Sequence, residues 1–381
     1  MFGLVVVGSG PAGVAAAEAF RRNNPRASVR ILTEDLATPY QRPPLSKDYL
    51  RGEETYVELH PADWFGERSI TLITDTKIVH VDTNTNSVVD SVGRRYDYDS
   101  LVLASGAGPK PLPVPGGESA LLLRSLGDAA TLRERAKNAG RAVVVGAGFI
   151  GCEAAASLAM QGISTILLSL EPLPQKARLG SAVGKRIVHL LADAGVSYAG
   201  GVGVTGLGDG EVHLDTGITI SADLVLAATG VEPQAEFAEA AGIKTDQGRI
   251  VVDEHQRTSV ANVFAAGDVA LTHNRSAGRA LAVEHWQDAI EQGNVAGANA
   301  SGGTEAWDTV PGFWTTIGDA TLKYLAWGDG FDGSRLVDHD DGFTVWYETE
   351  GKLVGVLTLN ADDDYDRAED LVRRGDPMPA D

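Results

Sequence analysis

Two groups of glycines are spaced for chemistry on phosphates. Gly8-Ser9-Gly10-Pro11-Ala12-Gly13 follows the apolar run Leu4-Val5-Val6-Val7, and Gly146-Ala147-Gly148-Phe149-Ile150-Gly151 follows Ala142-Val143-Val144-Val145. In a G-x-G-x-x-G turn between strand and helix, the first glycine permits the tight turn. The second lets backbone approach a pyrophosphate, and the third lets helix and strand pack closely. The helix that opens there offers free N–H groups and a positive dipole end to the diphosphate. A carboxylate roughly 20 residues further on would hydrogen-bond the ribose. After the first turn that acid is Glu34 or Asp35, and spacing does not separate them. After the second, the strand Thr165-Ile166-Leu167-Leu168 ends at Ser169, and Glu171 comes two residues later. Two dinucleotides held together in one chain point to hydride exchange.

The elements that must position these groups follow from the pattern. A strand at about 2–7, a helix through Val14–Phe20 and a strand at 28–32 make a first βαβ unit. A proline-rich segment, Pro39-Tyr40-Gln41-Arg42-Pro43-Pro44-Leu45-Ser46-Lys47, comes next. Strand-like runs lie near 76–82, 87–92 and 100–104, the last entering Ser105-Gly106-Ala107. Alternating prolines from Pro109 to Pro115 deny that loop a helix or a central strand and mark a domain boundary. A second βαβ unit begins near 141 and closes at Ala227-Ala228-Thr229-Gly230. The repeated strand, glycine turn, helix and late small-residue turn read as duplication of a nucleotide-binding domain. Asn262-Val263-Phe264-Ala265-Ala266-Gly267-Asp268 is a further strand, followed by a helix at about 283–300. From about 306 the tail alternates, as in Phe343-Thr344-Val345-Trp346-Tyr347, and reads as a small α+β domain. Its run Asp362-Asp363-Asp364 is a solvated helix start or loop.

Composition bounds the function. With 381 residues, 43% of them hydrophobic, the chain can bury cores in roughly two or three domains. A net charge of -20 argues against nucleic acid and anionic membranes as partners. The single cysteine, Cys152, can form neither an internal disulfide nor a C-x-x-C pair. Glycines break the apolar N-terminus, which also lacks a basic start, so no leader is expected. No apolar run of about 18 residues predicts a membrane helix. A cytoplasmic protein with no metal site is expected. A carboxylate at the strand end would repel a 2′-phosphate, whereas Ser169 would not, and Lys176 and Arg178 stand downstream. NADH is the preferred reading and NADPH stays open.

Four separated motifs carry a resemblance. Pro39–Lys47, Gly146–Glu153, Gly267-Asp268 and Glu284-His285-Trp286 occur in the order found in FAD-dependent NAD(P)H:ferredoxin and rubredoxin reductases. The chain resembles that family over about residues 3–325, including its putidaredoxin reductase and aromatic-ring dioxygenase reductase members and, more distantly, apoptosis-inducing factor. The tail is shorter than is typical and corresponds loosely, apart from Pro311-Gly312-Phe313-Trp314.

The resemblance implies FAD in the first glycine turn (Gly8, Gly10, Ala12, Gly13) and the nicotinamide nucleotide in the second (Gly146, Gly148, Ile150, Gly151, with Glu171). It implies that Ala12 and Glu34 contact the FAD diphosphate and ribose, and that Val79 reaches the adenine region through its backbone. Ser105, Gly106 and Gly230 belong to the strand-end turns beside the nucleotides. Arg124 would lie against FAD. Asp268, after Gly267, would bind its ribityl or diphosphate part. Trp286, after Glu284, would offer its backbone N–H to the flavin pyrimidine edge, where a helix N-terminus stabilises negative charge. Lys47 and Glu153 would pair at the flavin N5 side, the carboxylate keeping a buried lysine charged. Arg42 reads as a flavin contact or as a brace of the proline turn. His285 reads as an acid/base or, with more weight, as structural. Trp314 reads as a flavin shield, an electron exit or packing. Cys152 is a small buried residue. The arginines to check as a basic docking patch are Arg21, Arg22, Arg26, Arg373 and Arg374.

The expected fold is α/β, with two Rossmann-like domains of the glutathione-reductase type plus a small α+β C-terminal domain. The expected division is FAD-binding 1–112, NAD(P)-binding 113–244, FAD-binding again 245–305, and C-terminal 306–381. The expected activity takes hydride from NAD(P)H onto FAD and passes single electrons to a small iron–sulfur carrier, a ferredoxin or rubredoxin. The rivals are an NADH oxidase or quinone reductase without a protein acceptor, and a redox-sensing interaction protein. The chain is expected to be a monomer or homodimer.

Overall fold

A computed structural model describes residues 3–61 and 63–380. The chain divides into two compact units, each assembled from three segments.

The first unit comprises Met1–Gln41, Glu58–Gly108 and Glu232–Phe313. Its central sheet runs in the order Val263–Ala265, Ser100–Leu103, Leu4–Val7, Val29–Leu32, Ile70–Ile73. All four pairings are parallel, with Leu4 beside both Val29 and Ser100. Leu4, Val5 and Val6 are fully buried, as an apolar run in a doubly covered parallel strand requires. The strand expected at 2–7 is described from Leu4, and residue 2 lies outside the described residues. The helix Pro11–Asn23 follows the glycine turn and packs on Trp286–Ala300. That packing is close because Gly293 and Gly297, one helical turn apart, lie on the Ala12 and Ala16 backbones. A Cβ at either glycine would fall 2.2 or 2.1 Å from the carbonyl oxygen beneath it. The helix expected from 283 starts at Trp286, after His285 as its extended N-cap.

The second unit comprises Arg42–Val57, Pro109–Val231 and Trp314–Asp381. A parallel sheet orders Val196–Gly200, Ser164–Ser169, Arg141–Val145 and Leu224–Ala227. The apolar helix Phe149–Met160 follows Arg141–Val145. Leu126–Ala136 is started by a capping box in which Ser125 and Asp128 satisfy each other's backbone N–H. The C-terminal sheet orders Gly312–Ile317, Ala320–Ala326, Lys352–Leu359, Phe343–Thr349 and Gly333–Asp338. The acidic run forms the first turn of the helix Asp362–Arg374, and Arg373 and Arg374 occupy its last. Both ends complement the helix dipole.

Candidate functional site

The two glycine turns are built alike. In the first unit, Gly8 has φ +104, and a Cβ there would stand 2.1 Å from the Ala104 carbonyl oxygen. A Cβ on Gly13 would stand 2.0 Å from the Gly8 carbonyl oxygen. In the second unit the equivalents are Gly146, at φ +107 and 2.3 Å from Ala228 O, and Gly151, 1.9 Å from Gly146 O. These four glycines are required by the fold itself. The middle ones differ: a Cβ on Gly10 or Gly148 would meet nothing within 4 Å. Each middle glycine also N-caps its helix with no side-chain hydrogen bond and no acid in the first turn. In neither cradle is the first turn thus closed by a capping side chain or an acid, the condition an anion at a helix N-terminus requires. Pro11 at the first helical position costs nothing, because its missing N–H is an unused one.

Around the first cradle the structure separates the two acids. Asp35 accepts hydrogen bonds from Tyr40 Oη (2.6 Å) and Ala37 N (3.1 Å). The Glu34 side chain is half exposed and pairs with Lys77 at 3.2 Å. Gly267, at φ +78, donates its N–H to Gln292 Oε1 at 2.9 Å. Arg249 donates to the Asp268 carbonyl oxygen and pairs with Glu284, which ties two candidate residues together. Trp286 is the first residue of its helix, after the N-cap His285. His285 Nδ1 lies 3.1 Å from Asp288 Oδ2, and its ring stands 4.7 Å from that of Phe313. Those contacts give His285 a structural place. Ser105 Oγ donates to the Gln234 carbonyl oxygen, Gly106 has φ +71, and Val79 is exposed on the strand Ile78–Asp82.

Around the second cradle, Ser169 is already engaged: its Oγ accepts from Glu171 N at 3.1 Å. The Glu171 carbonyl oxygen accepts from Tyr198 Oη at 2.8 Å. Glu171 Oε2, by contrast, is buried with no hydrogen-bond partner. Such an oxygen is costly unless a ligand supplies a donor. Ile150 is exposed at the helix start, and Gly230 has φ +100 with open space where a Cβ would stand.

The second unit also holds the lysine–glutamate pair. Pro43 and Pro44 start the 3-10 turn Pro43–Ser46, which Arg42 precedes and Lys47 closes. Lys47 is 8% exposed and Glu153 3% exposed, and their Nζ–Oε2 distance is 2.8 Å. Ser46 Oγ donates to the same Oε2, while Thr315 Oγ1 (2.7 Å) and Thr316 N (3.2 Å) donate to Oε1. Ser157 Oγ holds the turn by donating to the Ser46 carbonyl oxygen at 2.8 Å. Beside Glu153, burial first and the carboxylate second push the Cys152 thiol up and out of reach as a nucleophile. Arg124 N donates to Asp128 Oδ2 at 3.1 Å, next to the capping box. Trp314 is 42% exposed on the strand Gly312–Ile317.

The sequence did not point to Ser46, Thr315, Thr316 or Gln292. Thr315 is 162 positions from Glu153, and no local pattern encodes such a contact. Most of the arginines to check as a basic patch are engaged locally. Arg21 donates to the carbonyls of Asn24, Pro25 and Ser69, and Arg22 meets Glu18 and Asn294. Arg373 pairs with Glu369 and Arg374 with Asp376, leaving Arg26 exposed.

A family model described as pyridine nucleotide-disulphide oxidoreductase matches residues 2–293. The chain belongs to the pyridine nucleotide-disulphide oxidoreductase family. Within it, the chain is 32% identical over 372 residues to a rubredoxin-NAD(+) reductase of Pseudomonas putida, covering 94% of this chain and 95% of the relative. It is 31% identical over 387 residues to putidaredoxin reductase of Pseudomonas putida, covering 97% and 91%. Among solved structures, a covalent putidaredoxin reductase–putidaredoxin complex aligns with a TM-score of 0.93 and 30% identity over 98% of this chain and 94% of that one. This oxidoreductase has only Cys152, so the disulphide chemistry in the family's name is not available from its own side chains.

Proposed function

We propose that this protein is a flavoprotein reductase that takes hydride from NADH onto FAD and delivers electrons singly to a small iron–sulfur carrier, a ferredoxin or rubredoxin. The observation that carries this reading is the pair of matched cradles, each with its middle glycine open, in a chain with a single buried cysteine. The names of the relatives support it, since they are reductases of putidaredoxin and of rubredoxin.

FAD, when bound, supplies a two-electron entry and a one-electron exit. The first cradle is proposed to hold its diphosphate, Glu34 its ribose, and Asp268 with Arg249 and Glu284 the region beyond. The Trp286 N–H, at a helix N-terminus, is proposed to stabilise negative charge at the pyrimidine edge. The pair Lys47–Glu153 is proposed to serve the N5 side, with Arg42, Val79, Arg124 and Trp314 as further flavin neighbours. The second cradle and Glu171 are proposed to bind NADH, the Glu171 carboxylate accepting a ribose hydroxyl and repelling a 2′-phosphate. Domain roles follow: FAD binding by residues 1–112 and 245–305, nucleotide binding by 113–244, and a C-terminal domain from 306.

A cytoplasmic setting fits the single cysteine. No helix among the described residues is long and apolar enough to cross a membrane. The test is anaerobic titration of the purified protein. One FAD per chain, bleached by one equivalent of NADH and far more slowly by NADPH, is the expected result. A protein without flavin affinity, or one whose flavin NADH leaves oxidised, contradicts the proposal.

A further inference from the structure

Glu153 is more tightly held than an ion-pair partner needs to be. A carboxylate this deeply buried is tolerated only when its oxygens are met by donors. Ser46 and Lys47 meet Oε2, from the turn preceding the helix Asp48–Arg51. The donors on Oε1 are Thr315 Oγ1 and Thr316 N, and both come from the strand Gly312–Ile317 at the edge of the C-terminal sheet. Side chains alternate along a strand. Trp314 accordingly faces outward, and Thr315, 1% exposed, points at Glu153. Only proline would remove the Thr316 N–H, and it would disrupt the strand, so the Thr315 hydroxyl is the half of the support on Oε1 that can be removed cleanly.

We propose that Thr315 is a positioning residue for hydride transfer: its hydroxyl fixes the Glu153 carboxylate, and through it the Lys47 ammonium. The inference rests on the reductase reading above. It goes beyond that reading by giving the C-terminal domain a part in the entry of electrons. Without the hydroxyl, Oε1 keeps only the Thr316 N–H at 3.2 Å. The terminal carboxylate torsion of a glutamate is broad, so the group turns and Lys47 loses its fixed partner.

The test compares Thr315→Val, which keeps the branched shape and removes the donor, with Thr315→Ser, which keeps the donor. Both are studied as full-length, FAD-loaded protein. Reduction by NADH is followed anaerobically across NADH concentrations, and the oxidised flavin spectrum and midpoint potential are recorded. Thr315→Val is expected to lower the limiting reduction rate roughly tenfold, the scale of one hydrogen bond to a charged group. Its apparent NADH dissociation constant should change less than about twofold. The flavin absorption band and potential should shift, and Thr315→Ser should recover most of the rate. A purely packing role would lower the melting temperature and move neither spectrum nor limiting rate. Ser46→Ala removes a donor from the other oxygen and should act in the same direction, which keeps the proposal testable if the valine variant does not fold. An unchanged limiting rate in the valine variant, a loss confined to NADH affinity, or a serine variant as slow as valine would overturn it. Failure of the reductase reading would show instead in the unsubstituted protein, whose flavin would not bleach.

Discussion

Lys47 and Glu153 form a buried charge pair in which both carboxylate oxygens are met by donors, and that sets what substitutions should do. Glu153→Gln removes the negative charge, leaves a buried ammonium, and turns an amide toward three remaining donors. Breaking one side of such a pair costs about 3–5 kcal/mol. Calorimetry should show that loss as a lower melting temperature, and stopped-flow reduction by NADH should slow by at least about tenfold. A variant as stable and as fast as the parent would remove the pair from the mechanism. Glu171 makes a separate prediction, because its Oε2 is buried and unpartnered. Glu171→Ala should weaken NADH binding by roughly tenfold or more, the worth of a charge-assisted hydrogen bond. Binding of NADPH should weaken less, so the preference between the two narrows. Equal losses for both nucleotides would mean that Glu171 does not read the 2′ position.

At the scale of elements, the strand–glycine–helix units were legible because everything that makes them is local. Their apolar runs, glycines and small-residue helices lie within a short stretch of chain, and the structure puts strands at Leu4–Val7 and Arg141–Val145 and helices at Pro11–Asn23 and Phe149–Met160. Less of the site was legible, because its finishing contacts cross the chain. Nothing near Thr315 signals a carboxylate from residue 153. The strand Ile70–Ile73 also escaped notice, because it is short and its partner Val29–Leu32 is distant in sequence. The glycines give a direct test of role against fold. Gly148→Ala should fold normally and lose NADH affinity, since its Cβ enters open space. Gly151→Ala should fold poorly, since its Cβ would lie 1.9 Å from a carbonyl oxygen. Calorimetry with NADH titration of both variants separates the two, and a Gly148→Ala protein with full NADH affinity would place the diphosphate elsewhere.

At the scale of the whole molecule, ionisation links the buried core to pH. Burial raises the Cys152 thiol and the hydroxyls of Tyr347 and Tyr98, the last to about 12, with the Asp82 charge adding to it. In the unfolded chain the thiol ionises near 9.0 and the tyrosines near 10.0. Above those values the unfolded state holds fewer protons than the fold. The share of stability these three groups contribute is therefore constant below about pH 9 and is lost as pH rises above it. Cys152→Ala should remove the earliest part of that fall, beginning near 9.0, and melting curves from neutral to alkaline pH would show it. Electrons taken from NADH must also leave the molecule. With a single buried cysteine, the chain has no disulfide exit of its own. The most direct measurement mixes NADH-reduced protein, without oxygen, with an oxidised ferredoxin or rubredoxin and follows both chromophores. Reoxidation of the flavin with two carriers reduced per flavin, faster than with oxygen or a quinone at equal concentration, is the expected result. A flavin that stays reduced beside every such carrier, yet reoxidises rapidly with oxygen or quinone, would contradict the account.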